Sequence, residues 1–66
     1  MAGNRRGKLK EHYEGIHRNF EWCKQHVAKI LVLIGDEKHP LHKASVSLGE
    51  GIQALDDLAN DVYAKI

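Results

Sequence analysis

From Leu9 onward apolar side chains return at alternating steps of four and three, as Leu9, Tyr13, Ile16, Phe20, Cys23, Val27, Ile30 and Ile34. This rhythm lines up one stripe of an α-helix, and no strand alternation fits the same run. The stripe stops at Gly35, a residue suited to a left-handed helix cap. A polar connection, Asp36 to His39, then leads to Pro40, which favours a first helical turn. A second stripe repeats the rhythm through Leu41, Ser45, Leu48, Ile52, Leu55, Ala59, Val62 and Ile66.

Two stripes of equal length joined by a short loop fold back antiparallel. With Ile34 set against Leu41, paired positions add up to about 75, which sets Ile30 on Ser45, Val27 on Leu48, Cys23 on Ile52 and Phe20 on Leu55. Ile16 then meets Ala59, Tyr13 meets Val62 and Leu9 meets Ile66. The expected fold is therefore all-α, an antiparallel two-helix hairpin. Its helices cover about 8–34 and 40–65, with a loop at 35–39. Residues 1–7, with two glycines and no apolar pattern, read as a disordered basic arm. Gly49 and Gly51 lie inside the second helix, where each costs roughly 1 kcal/mol relative to alanine. They allow a kink there, although the simpler reading is that small residues let the helices approach.

A single hairpin buries one stripe per helix, and apolar residues remain outside it. Trp22, His26, Leu33, Ala44, Gly51, Ala54 and Leu58 flank the seam on one side and are the expected dimer interface, with Trp22 as its central anchor. The expected assembly is a homodimer forming a four-helix bundle, or a tetramer. Leu31 and Val32 lie away from that flank and mark either the tetramer contact or a partner surface.

Composition strengthens the case for assembly. A chain of 66 residues with 42% apolar content makes one small domain whose burial only narrowly offsets chain entropy. Disulfides are the usual remedy, but Cys23 is alone and cannot pair within the chain, which points to a reducing, cytoplasmic setting. The longest apolar run, Ile30 to Ile34, is far short of the ~20 residues that span a bilayer, so no membrane partner and no leader are expected.

The net charge of +1 names no partner by itself. Its distribution is uneven: Arg5, Arg6, Lys8 and Lys10 precede any acid, and they are the candidate nucleic-acid-binding residues.

Five histidines invite a metal reading, and Cys23-x-x-His26 followed by His39-x-x-His42 imitates zinc spacing. In the hairpin register these pairs lie ~20 Å apart, and Cys23 falls on the core stripe. Glu14-x-x-His17 matches one element of di-iron bundles, but Glu14 points outward. His17 is instead expected to pair with Asp56 across the seam edge. Glu11-x-x-Glu14, Asp56-Asp57 and Asp61 resemble the magnesium-binding helices of all-α nucleotide pyrophosphatases. The sequence departs from that pattern at Gln53, three places after Glu50, where the family carries a second Glu-x-x-Asp. Ser45 and Ser47 have no base and orienter, and Gly49-Glu50-Gly51 follows no strand.

The expectation is thus a non-enzymatic protein-interaction or regulatory module with no catalytic set, no cofactor and no metal. It acts as a homo-oligomeric bundle and docks an unidentified protein. The alternatives are a nucleic-acid-binding hairpin dimer and a metal-binding or metal-dependent hydrolytic bundle.

Overall fold

The computed structural model describes residues 2–66, with side chains from Arg5 onward. Helix α1 runs Ala2–Ile34 and helix α2 runs Pro40–Ala64. The two pack against each other as a hairpin. The chain measures 55 × 16 × 11 Å, a slab two helices wide and one helix thick. A slab of one layer has two broad faces and no interior. Val27 is its one buried apolar side chain among the described residues.

The connection follows the sequence closely. Gly35 has φ +71, the left-handed geometry that glycine tolerates best, and its N–H donates to the Leu31 carbonyl at 3.0 Å. The Lys38 N–H donates to Asp36 Oδ1 at 2.9 Å, closing a small side-chain turn. His39 caps α2 by accepting from the Leu41 N–H at 3.1 Å, with Pro40 in the first turn. Across Gly49 and Gly51 the helix continues unbroken. A Cβ on Gly49 would sit 3.3 Å from Val27 Cγ1, so this glycine lets the helices approach; Gly51 has nothing within 4 Å and does not.

Contacts along the seam keep the expected register. Glu14 meets Tyr63, His17 meets Asp56 and Lys24 meets Gln53, and the paired numbers still add up to about 75.

The rotation of the helices differs from the expectation by one position. Half of the first stripe and most of the second are covered as expected: Tyr13, Phe20, Ile34, Ser45, Ile52, Ala59, Val62 and Ile66 are half-buried and Val27 is buried. The other inward line is Lys10, His17, Lys24 and Leu31 on α1, facing His42, Gly49, Asp56 and Tyr63 on α2. Leu9, Ile16, Cys23 and Ile30, expected inside, are exposed, and so are Leu41, Leu48 and Leu55. The register stands, but Leu55 and Cys23 are exposed, so the seam is shifted toward the polar side. The apolar band on each helix is wider than the strip one neighbouring helix covers, so the hairpin contact takes one edge of it.

The start of α1 also differs. Residues 2–7, expected as a disordered arm, form the first turns of the helix. Alanine, arginine and lysine favour helix, and extending an existing helix costs far less than starting one. Since Lys10 already lies over the Tyr63 ring near the end of α2, residues 2–9 run on beyond their neighbour.

Candidate functional site: two unlike faces of the hairpin

The polar face is built around Asp56, 1% exposed at the seam. His17 Nδ1 lies 2.8 and 3.0 Å from its two carboxylate oxygens. An ionised carboxylate only accepts, so Nδ1 carries the proton and donates. Lys24 Nζ donates to Gln53 Oε1 at 2.9 Å, reaches Asp56 Oδ2 at 3.4 Å and lies 2.6 Å from Glu21 Oε1. No buried side-chain polar atom among the described residues lacks a partner. The pairing of His17 with Asp56 expected from the sequence is therefore present.

These contacts set the ionisation of the group. The hydrogen bond from His17 holds the Asp56 carboxyl below its usual range against the opposing cost of burial, with the His17 and Lys24 charges assisting. The Glu21 carboxylate raises the Lys24 ammonium pKa, mainly through its hydrogen bond, while desolvation opposes and Asp56 adds to the shift. At the far end Tyr63 Oη donates to Glu14 Oε1 at 2.9 Å, which pushes the phenol upward. Glu14 is thus exposed but engaged, and Glu21 joins the Asp56 cluster through Lys24.

Ligand-type atoms of His17, Glu21 and Asp56 lie within 4.8 Å of one another. The cation their charges call for is already supplied by Lys24, bonded to both acids. His26, His39 and His42 do not join them: His26 is exposed, His39 caps α2 and His42 faces the seam near the loop.

The opposite face is apolar. Viewed from one end, antiparallel helices wind in opposite senses. A line displaced the same way from the seam on each therefore swings to the same side of the slab. Leu9, Ile16, Cys23 and Ile30 consequently share a face with Leu41, Leu48 and Leu55, in two parallel rows. All seven residues expected at a dimer interface are exposed. His26, Leu33, Ala44, Gly51 and Leu58 border these rows. Trp22 and Ala54 lie one residue, about 100°, beyond Cys23 and Leu55, on the outer edges. Trp22, 69% exposed, does not stand at the centre of the apolar face, and it lines a shallow hollow with His17, Arg18 and Gln25. Sequence reasoning missed Ile16, Leu48 and Leu55 as surface residues, because it had assigned them to the seam. Leu31 is in the seam, while Val32 is 80% exposed beside Ala28 and Leu33.

Of the cationic candidates, Arg5, Arg6 and Lys8 are exposed on the projecting part of α1. Lys10 is half-buried with its Nζ 5.6 Å from the Tyr63 ring centre, so it braces its own hairpin. No helix is long and apolar enough to cross a membrane among the described residues. No family model, curated protein or solved structure matches the chain.

Proposed function

We propose that this protein is a non-enzymatic interaction module that works as a homodimer, two hairpins closing their apolar faces into a four-helix bundle. The observation that carries this reading is the uncovered double row of Leu9, Ile16, Cys23 and Ile30 beside Leu41, Leu48 and Leu55. Its size supports a partner of similar dimensions. The chain exposes 5447 Å², whereas a compact monomer of its 7.5 kDa mass exposes about 4,250 Å². The excess of about 1,200 Å² is more than the roughly 800 Å² each partner contributes to a standard stable interface. A second copy supplies a matching surface without further assumption, since two-fold symmetry sets the same apolar face against itself.

The polar face argues for the same division of labour. The charges around Asp56 are paired among themselves, and no buried side-chain polar atom among the described residues lacks a partner. In the assembled bundle that face looks outward, together with the exposed edges, and these are the surfaces on which a further protein docks.

Cys23 provides a built-in reporter, because its thiol lies in the apolar row. In the native protein its reaction with an aromatic disulfide is expected to be slowed at least tenfold relative to the urea-unfolded chain, with protection fading on dilution. Native reactivity equal to that of the unfolded chain at every concentration refutes the dimer.

A further inference from the structure

Whichever way a second copy lies, the bundle leaves the outer edge of α1 open. We propose that this edge binds single-stranded nucleic acid, with Trp22 stacking on a base and a line of cations following the phosphates. The inference rests on the reading as an interaction module and deepens it, giving one of the open edges a partner other than protein. The two outer edges of the slab carry opposite balances. Residues three, four, seven, eleven or fourteen places from Trp22 share its edge of the helix, and the charged ones are Lys8, Glu11, Arg18 and Lys29, all exposed. Arg5 continues the line toward the start of α1. The other acids of α1 are engaged on the polar face, Glu14 by Tyr63 and Glu21 by Lys24. Around Ala54, on the edge of α2, the same spacings hold Lys43, Glu50, Asp57, Asp61 and Lys65, an acidic balance with no aromatic side chain. Across whole helices, α1 has seven basic side chains against three acidic, and α2 has one against four. A polyanion is therefore attracted along α1 and repelled along α2.

The aromatic group singles out nucleic acid among polyanions. Trp22, 69% exposed, stands between Arg18 and Lys29 and beside the hollow it shares with Arg18, Asn19 and Gln25. Among the described residues none of these three polar side chains takes part in a side-chain hydrogen bond or ion pair. An indole face stacks on any base, the two amides suit base edges and sugar hydroxyls, and the guanidinium suits a phosphate. Bases in a duplex are already stacked on one another, so a site built round an exposed indole selects single strands. From Lys8 to Lys29 the line runs roughly 32 Å at the helical rise, room for several nucleotides.

Trp22 is the chain's single tryptophan, so its fluorescence reports contact at this edge directly. Titration of the full-length protein with an oligothymidylate of about fifteen nucleotides is expected to give saturable quenching. The association constant should fall roughly a hundredfold per tenfold rise in salt, as three phosphate contacts on a single strand require. Arg18→Gln with Lys29→Gln is expected to weaken binding about tenfold at low salt and to flatten the salt dependence to about fivefold per decade. Trp22→Ala, followed through a label on the oligonucleotide, should lose at least about fivefold in affinity with helicity unchanged. Absence of quenching at low salt overturns the proposal. Equal quenching by polyglutamate overturns it in favour of an acidic protein, and tighter binding of the matching duplex overturns the preference for single strands. Sedimentation of the same samples keeps the two readings apart, since a monomer whose Trp22 is still quenched refutes the homodimer and supports the ligand of this edge.

Discussion

The two broad faces of the slab come from the same two helices and lie one residue step apart in each heptad, yet they are finished differently. On one, Asp56 is enclosed by His17 and Lys24, with Gln53 and Glu21 completing the cluster. On the other, Ile16, Leu48 and Leu55 stand open. A buried carboxylate is strongly unfavourable without partners, so the polar face must be satisfied inside one hairpin. Exposed leucines carry no such local demand, and their free energy is recovered when a second surface arrives. The difference separates the contacts that one hairpin completes within itself from the apolar surface on which the proposed dimer rests.

The comparison breaks most visibly on the apolar side. Leu48→Glu combined with Leu55→Glu is expected to weaken dimerisation at least about a hundredfold, from roughly 1.5 kcal/mol or more of lost burial at each site. Helicity should fall with it, because the remaining hairpin has one buried apolar side chain among the described residues. Size-exclusion profiles and circular dichroism on the double variant check both. Unchanged elution would place the interface elsewhere.

The polar side breaks differently. Because the folded-state pKa of Asp56 is depressed, its contribution to stability is fully present above the ordinary carboxylate range and is lost as pH falls through the folded value. Asp56→Asn is therefore expected to lower the melting temperature by several degrees at neutral pH, leaving His17 and Lys24 without their shared acceptor charge. The variant and parent curves converge in acid. A constant offset at every pH would show that Asp56 acts through shape alone.

The smallest expected effect separates the two glycines of α2. Gly51→Ala adds a methyl group in open space and should stabilise the helix by about 0.5 to 1 kcal/mol. Gly49→Ala gains less, because its Cβ meets Val27 Cγ1 at 3.3 Å, and Gly49→Leu should destabilise. Urea titration of the three variants ranks them.

Much of the hairpin is legible in the residues themselves. Gly35, Asp36, His39 and Pro40 state where one helix stops and the next begins, and the equal stripes fix the register to about one residue. His17 with Asp56 is readable as well, since both flank the same tier. What the sequence leaves open is rotation. Leu9, Ile16 and Cys23 look like seam residues because periodicity reports an apolar band without saying which edge of it meets the neighbouring helix. Trp22 reads as an anchor from its size, and its place on the outer edge of the hairpin follows from one step along the helix from Cys23. The helical start of α1 is hidden because Arg5, Arg6 and Lys8 have propensity but no pattern.

Sedimentation equilibrium of the unmodified chain across a wide dilution series tests the central claim most directly. The expected result is a species of twice the 7.5 kDa chain mass that dissociates, with loss of helicity, as concentration falls. A 7.5 kDa species that stays fully helical at every concentration would contradict it.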